Sequence, residues 1–428
     1  MNRNIIIIIA VFMLLLSGVL PAVAQKTIIS GVVRSSDTGD PLAQVSVQAV
    51  AASGDSGAET VGGEAVVTND DGLFTLKSDR QVAAIIVSHI GYRTQRIPVG
   101  GSTEAPVTIR LVPATVQLQG ITVWTGNPRE LVSLAIKKIP SNYSTVAELS
   151  NCFYRETAMK RQHYIYVAEG VVDMFKTAYD RPSFRRDRVA IRKGRRLLSP
   201  RRGDTLTVKV MGGPVQAVQL DVVKQTELLL NEEDLNLYNM EMLSPQVIAD
   251  RQQFVVELSP RSNANVDYAL YNARLYIDCE TLSFTRAELQ LDVSDRERAS
   301  RVMLIRKPAG LRFRPRELSL VADYRTDDDG VTRLSYVRTC FRFNCDWRRK
   351  LFATSFTATC EMVATAHESK PGVQPISGRQ SFDSRDAFYD KVDYFRDPDF
   401  WKDYNIIEPT ESLDRAVGRL LRRYPPKQ

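Results

Sequence analysis

Between Thr27 and about Val123, apolar and polar residues alternate over short stretches. Val45, Val47 and Ala49 stand against Ser46 and Gln48, and Val107, Ile109 and Leu111 stand against Thr108 and Arg110. A period of two puts every second side chain on one face of a strand. The stretches are separated by "SSDTGDP", "NDDG" and "GGSTEAP", whose Gly, Asp and Pro suit turns. No segment here keeps helical spacing over a useful length, so the pattern predicts a small β-sandwich of under about a hundred residues.

Past Val123 the period changes. Asn127 is placed as an N-cap, Pro128 at the first helical position and Glu130 for a capping box, while Leu131, Leu134, Ala135 and Ile139 share one face up to Pro140. From Cys152 to about Thr365 long period-two segments return. Tyr271, Ala273, Leu275 and Ile277 form one such face, and Phe352, Phe356, Ala358, Cys360 and Met362 form another. The intervening "SPRSNANVD", "DCET", "SDRERAS", "KPAG" and "RTDDDG" are too short for parallel returns, which need about a dozen residues or more. The expected fold class is therefore mainly β: the N-terminal sandwich plus a large curved antiparallel sheet, half-barrel-like. Helices from Pro128, within Thr205 to Asn231 and from Pro409 are expected to cover it. "HESKPGVQPISGRQ" has linker composition, and Leu413, Ala416, Val417, Leu420 and Leu421 make a helical stripe beyond it. The boundaries expected are 1–24, 25–123, 124–366, 367–381 for the linker, and 382–428 for an aromatic tail with its amphipathic helix.

The N-terminus sets the compartment. Arg3 precedes the apolar run Ile5 to Leu16, and Ala22-Val23-Ala24 offers the small residues of a signal-peptidase site; an uncleaved anchor is the rival reading, but Ser17, Gly18 and Pro21 beside that site favour export with cleavage before Gln25. Beyond it no apolar run approaches the roughly 20 residues of a spanning helix. The chain of 428 residues is 43% apolar and 25% charged with a net charge of +7, an ordinary globular composition. Its five cysteines are odd in number and irregular in spacing, and Cys340 and Cys345 fall on one predicted strand, so buried thiols are expected rather than bridges.

Candidate chemistry is sparse. Asp70-Asp71-Gly72 and Asp327 to Gly330 lack the first and last ligands of a calcium loop and suit hairpin turns. The three histidines, His89, His163 and His367, have no partner at ligand spacing, which excludes a zinc peptidase. "GDSGA" around Ser56 has the letters of a protease nucleophile loop, but no histidine precedes it. Glu232-Glu233 and Asp327 to Asp329 are acid pairs of the kind glycosidases use, in stretches expected to be solvated. No P-loop or dinucleotide fingerprint occurs. The basic run Arg181 to Arg202 is the strongest charge feature. In an exported chain it suits anionic headgroups or glycans rather than nucleic acid, or a charged strand edge that resists pairing. No catalytic, cofactor-binding or metal-binding residue is assigned.

Several segments fall in a familiar order: "SGVVRSSDTGDPLAQVSVQAV", "TNDDGLFTL", "IIVSHIGYRTQRIPV" and "IRLVP". Together they resemble the carboxypeptidase-regulatory-like domain, a transthyretin-like sandwich common ahead of TonB-dependent receptors and other envelope proteins of Bacteroidetes. The insertion Ala51 to Glu64 departs from that pattern. The resemblance implies a non-catalytic accessory module. The rest, with "FYRE", "GGP", "LYID" and "DYNIIEPTESL", is similar to an uncharacterised region that follows this domain elsewhere, and more weakly to the half-barrels of periplasmic lipoprotein carriers. The expected function is a non-catalytic envelope protein, in the periplasm or at the outer-membrane periphery, that binds a protein or glycan. The alternative is a carrier of a lipid-like ligand, and an envelope hydrolase is a remote third.

Overall fold

The computed structural model describes residues 27–52, 64–99, 105–114, 123–180, 186–199, 208–210, 212–262, 264, 266–347, 353–368, 372–383, 386–394 and 399–423. The expected export signal, the "GDSGA" loop, and residues 181–185 and 200–202 of the basic run lie outside them.

The N-terminal strands are β1 (Thr27–Ser35), β2 (Ser46–Ala51), β3 (Ala65–Val67), β4 (Leu73–Ser78), β5 (Val82–Ser88), β6 (Gln95–Pro98) and β7 (Val107–Leu111). They form two sheets, in the orders β4-β1-β7 and β3-β2-β5-β6. The alternating apolar positions Val33, Val45, Val47, Phe74, Leu76, Ile85 and Ile109 meet between them as one core. The predicted sandwich is present.

Next comes α1 (Pro128–Asn142), then β8 (Glu148–Lys160), β9 (His163–Lys176), β10 (Arg188–Leu198) and β11 (Lys209–Val210). A short helix α2 (Pro214–Gln219) leads to β12 (Tyr238–Ile248), β13 (Arg251–Pro260), β14 (Tyr271–Asp278) and β15 (Phe284–Leu291). The remainder is α3 (Arg296–Met303), β16 (Leu304–Arg306), β17 (Leu311–Thr326), β18 (Thr332–Trp347), β19 (Thr354–Glu368), β20 (Asp393–Tyr394) and α4 (Glu411–Arg423). Asn127 caps α1 as expected, its side chain accepting from Arg129 N at 2.9 Å. The helix runs two residues past Pro140, because proline removes only its own amide and Tyr143 N still donates to Ile139 O at 3.1 Å. Val132 is buried and Leu134 exposed, so the buried face is rotated from the expected one. "SDRERAS", expected as a strand connection, instead feeds α3. Asp295 caps that helix by accepting from Glu297 N and Arg298 N, and Ala299 and Met303 are its buried contribution. Two apolar positions were too few to show a helical period.

Among the described residues eleven strands form one open sheet, β12-β13-β14-β15-β17-β18-β19-β8-β9-β10-β20, antiparallel except for the parallel β10–β20 pair. The first long strand, β8, joins the last, β19, so the meander's two ends meet inside the sheet. The chain must then travel from β10 near one edge to β12 at the other, about 43 Å at roughly 4.8 Å per strand. That crossing carries α2 and the stretch to Leu237 over one face, here called the inner face. Leu131, Val132, Ala135 and Ile139 of α1, Val218, Val222, Val223, Leu230 and Leu235 of the crossing, and Phe382 and Phe388 pack there on Phe254, Leu275, Ala287, Leu320 and Met362. Two of the three helical covers expected from the sequence, α1 and the crossing segment, therefore lie on the inner face; the third, from Pro409, does not, because its stripe packs on the outer-face residue Val167.

The outer face carries the sandwich. Val67 joins Phe153, Val171, Tyr336 and Val363, with Trp401, Ile406 and Ile407 of the tail, in one apolar cluster. At the far edge Gly91 N donates to Val247 O (2.8 Å) and Thr94 N to Asp250 Oδ1 (2.9 Å). Helix α4 lies on β9, with Leu413 against Val167 and Leu197. Strand β19 runs on through His367 to Glu368, so the residues expected to open the linker belong to the sheet.

Candidate functional site

Two features stand out, one on each face. Inside the apolar inner core sits an ionic cluster with almost no exposure. Lys176 Nζ lies 2.6 Å from Asp221 Oδ2 and 3.7 Å from Asp187 Oδ2, and Lys224 Nζ lies 2.8 Å from Asp187 Oδ1. Tyr179 and Tyr324 donate their hydroxyls to Asp221 at 2.6 and 2.8 Å. Lys224 Nζ also donates to Thr177 Oγ1 at 2.9 Å. Burial alone would neutralise these groups. For Asp221 it is outweighed by Lys176 and the hydrogen-bond donors, which hold the carboxyl below its usual range. For Lys224 burial, joined by repulsion from Lys176, prevails over Asp187 and lowers the ammonium to about 8. Two cations and two anions make the cluster neutral. It ties the crossing segment to β9, to β17 and to the residues leading into β10. The sequence holds a faint signal for it: "MFKTAY" and "LDVVKQ" put lone charges inside apolar runs.

On the outer face a cleft of about 430 Å³ opens between sandwich and sheet. Gln44, Ser46 and His89 form one wall, and Arg251, Arg286, Asp323 and Arg325 line the other. These sheet positions alternate with the apolar ones of the inner face, so period two itself aims charge at the sandwich. Arg286 donates from Nε to Glu288 (2.7 Å) and from Nη1 to both Asp323 oxygens (2.8 and 3.1 Å). Arg251 holds Asp278 through Nε and Nη2 at 2.6 and 2.7 Å. Burial raises the Asp323 carboxyl, with Arg286 opposing, whereas burial and then Arg286 lower the His89 imidazole to about 4. The wall thus presents fixed guanidinium and carboxylate groups beside a neutral histidine. Its charges are matched, a surface suited to hydrogen-bonding a polar ligand of low net charge.

The Asp-Gly stretch is a turn, as expected. Gly72 has φ +76°, and Asn69 Oδ1 accepts from Asp71 N and Leu73 N, both at 2.9 Å. The turn also has a tertiary task. Asn69 Nδ2 donates to the carbonyls of Glu408 (3.2 Å) and Pro409 (3.0 Å), and Asp71 Oδ2 accepts from Glu411 N at 2.6 Å, at the start of α4. Lys77 Nζ adds bonds to the carbonyls of Trp401 and Tyr404. The tail is a clamp between the two domains.

Asp327 is buried rather than solvated. With Glu148 and Asp329 it surrounds Arg333, whose side chain is 4% exposed, at 3.2, 2.9 and 2.7 Å. A buried arginine needs several acceptors, and the turn supplies two. Glu232 and Glu233 are exposed, as expected. His367 Nδ1 lies 2.7 Å from Ser150 Oγ, a serine–histidine contact between cross-strand neighbours of β19 and β8. Burial, then Arg325, lowers this imidazole to about 4, far from the value of a base working near neutrality. Both residues are buried, which leaves substrate no approach. His163 is exposed. Among the described residues no group of three or more His, Cys, Asp or Glu is arranged for a metal ion. All five cysteines are free, with Cys340 and Cys345 both on β18.

Among the described residues of the basic run, Arg186, Arg188 and Arg192 are exposed, while Lys193, Arg195 and Arg196 are half-buried against the tail. Arg195 Nε meets Glu169 at 3.1 Å and its guanidinium lies 5.1 Å from the Trp401 ring centroid. Lys193 Nζ sits 4.0 Å over Phe400, and Arg196 stands 4.8 Å from Tyr394. The aromatic, acidic tail and the basic strand were separate sequence features that the fold pairs. Burial of Glu169 is outweighed by Arg155, Arg195 and the Trp401 indole, which hold its carboxyl below the usual range.

With this geometry in hand, comparison identifies the first unit. Residues 29–123 match the family model of the CarboxypepD_reg-like domain. The CarboxypepD_reg-like domain is thus the sandwich that roofs the cleft and holds the tail. A search of curated proteins found no match. Among solved structures, a DUF1329 family protein from Desulfovibrio piger is 10% identical with a TM-score of 0.25, over 58% of this chain and 96% of that one. A domain from Vibrio parahaemolyticus described as an outer membrane lipoprotein-sorting protein is also 10% identical, with a TM-score of 0.26, over 58% and 95%. At such scores, function has to be argued from this chain's own residues.

Proposed function

We propose that this protein is an exported, non-catalytic accessory protein of the cell envelope. The polar cleft between its CarboxypepD_reg-like domain and the large sheet receives part of a glycan or protein partner. The observation that carries this is the filled inner face. A carrier of acyl chains needs an apolar cavity of about 300–1,000 Å³, but α1, α2 and the crossing segment occupy that face with their own side chains. A cleft opens instead on the outer face, where Arg251, Arg286 and Asp323 are held by their pairs, ready to bond hydroxyls or amides without rearrangement.

Native mass spectrometry of mature protein isolated from its own envelope fraction tests this. A retained glycan or protein that is lost in Asp323→Asn supports the reading. A stoichiometric acyl lipid that carries no phosphate overturns it.

A further inference from the structure

The edge strand β10 is covered at two places and left open between them. Ser381 bridges Ala190, and Phe382 N donates to Val189 O at 2.7 Å. Farther along, β20 pairs with Arg195 and Arg196. Between these contacts the ladder to β9 shifts register from Ile191 to Lys193, the mark of a bulge, and a cavity of about 450 Å³ opens along Ile191 to Gly194. Bulges re-aim side chains at sheet edges.

Four cations line this cavity, Arg192, Lys193, Arg379 and Lys391, against two carboxylates, Asp386 and Asp393. Lys193 is fixed by its bond to Phe400 O (2.8 Å) and by the ring beneath it. Arg192 Nε is steadied by Asp173 at 2.6 Å, which leaves the far side of its guanidinium, and Lys391 meets Asp386 at 2.9 Å. Arg379 is exposed and makes no hydrogen bond or ion pair among the described residues. In the outer-face cleft each arginine is matched, whereas here Arg379 has no acid partner among the described residues and Lys193 is held by a carbonyl and a ring rather than by a carboxylate. Guanidinium forks and ammonium groups that line one recess are a donor set that a phosphate, with its several acceptor oxygens, satisfies better than a carboxylate does.

We propose that this cavity binds a phosphate group carried by an envelope ligand. The volume exceeds that of a bare phosphate and leaves room for the sugar or glycerol that bears it. The proposal is independent of the outer-face cleft, because the two sites share no residue.

Mature full-length protein is titrated calorimetrically with inorganic phosphate and with glycerol 3-phosphate. It is also floated with phosphatidylglycerol–phosphatidylcholine vesicles and with vesicles of phosphatidylcholine alone. Arg379→Ala and Lys391→Ala are the variants, since both side chains reach solvent and their loss leaves the core intact, which an unchanged Tm verifies. Each is expected to weaken binding about tenfold, the scale of one charge-assisted hydrogen bond. Flotation with the anionic vesicles, sensitive to both variants, assigns the phosphate to a lipid headgroup, and calorimetric binding without flotation assigns it to a soluble ligand. Binding to none of these probes overturns the proposal, as does binding that both variants leave unchanged.

Discussion

Asp221→Asn should unsettle the inner core more than any surface change. The carboxylate is 1% exposed and accepts from Lys176 Nζ and Tyr179 OH at 2.6 Å, Tyr324 OH at 2.8 Å and Lys224 N at 3.2 Å. An amide of the same shape removes the negative charge and turns an N–H₂ toward groups that are themselves donors. Lys176 then keeps only Asp187, at 3.7 Å. Breaking one partner of a buried pair costs about 3–5 kcal/mol. At about 2 °C per kcal/mol for a domain of this size, the sheet domain should lose roughly 6–10 °C in Tm. Differential scanning calorimetry at neutral pH is the assay, with Lys176→Met and the double variant Lys176→Met/Asp221→Asn completing a cycle. The double variant should lose less than the two singles together by about 2 kcal/mol or more, because it leaves no lone charge behind. A loss below about 2 °C for Asp221→Asn, or strict additivity in the cycle, would refute the argument that the cluster is an energetic unit.

Other outcomes follow from single contacts. His367 has its proton affinity lowered to about 4 by burial, so between the unfolded value of 6.5 and 4 the unfolded chain binds the proton first. Stability from this group is therefore full above pH 6.5 and falls as pH drops toward 4, by about 3 kcal/mol. Urea midpoints across that window should depend less on pH in His367→Asn, and an unchanged dependence would sink the assignment. Asp71→Ala removes the acceptor for Glu411 N and should cost about 1 kcal/mol, seen as faster hydrogen exchange in α4 with the sandwich unaffected; equal exchange in both proteins contradicts the clamp. Gly72→Ala asks a side chain to adopt φ +76° with its Cβ 2.5 Å from Val33 O, and should cost about 2 kcal/mol or more in chemical denaturation. Calcium should leave the wild-type Tm unchanged, since the same turn spends Asn69 and Asp71 on amides and carbonyls. Without reductant, all five thiols should titrate once the chain is denatured, and a lower count would reveal a bridge.

Local pattern by itself determined a good deal of this protein. Period-two alternation placed the strands, Asp-Gly chemistry placed a turn, and Asn127-Pro128 placed the start of α1, because each depends only on neighbours within a few residues. The ordered motifs of the first hundred residues also marked the CarboxypepD_reg-like domain. What the tertiary structure decided are matters of long-range order. Nothing local says that β8 will join β19, yet that pairing forces the chain across the inner face and fills it. Nor does sequence spacing bring Lys176, Asp187, Asp221 and Tyr324 together, or set Lys193 and Arg195 against Phe400 and Trp401 some two hundred residues away. Charged residues that look solvated along the chain become buried once a second element supplies the opposite charge. Asp327, read as part of a surface turn, shows why: its environment is Arg333 and the sheet beneath, and the sheet exists only in the folded chain.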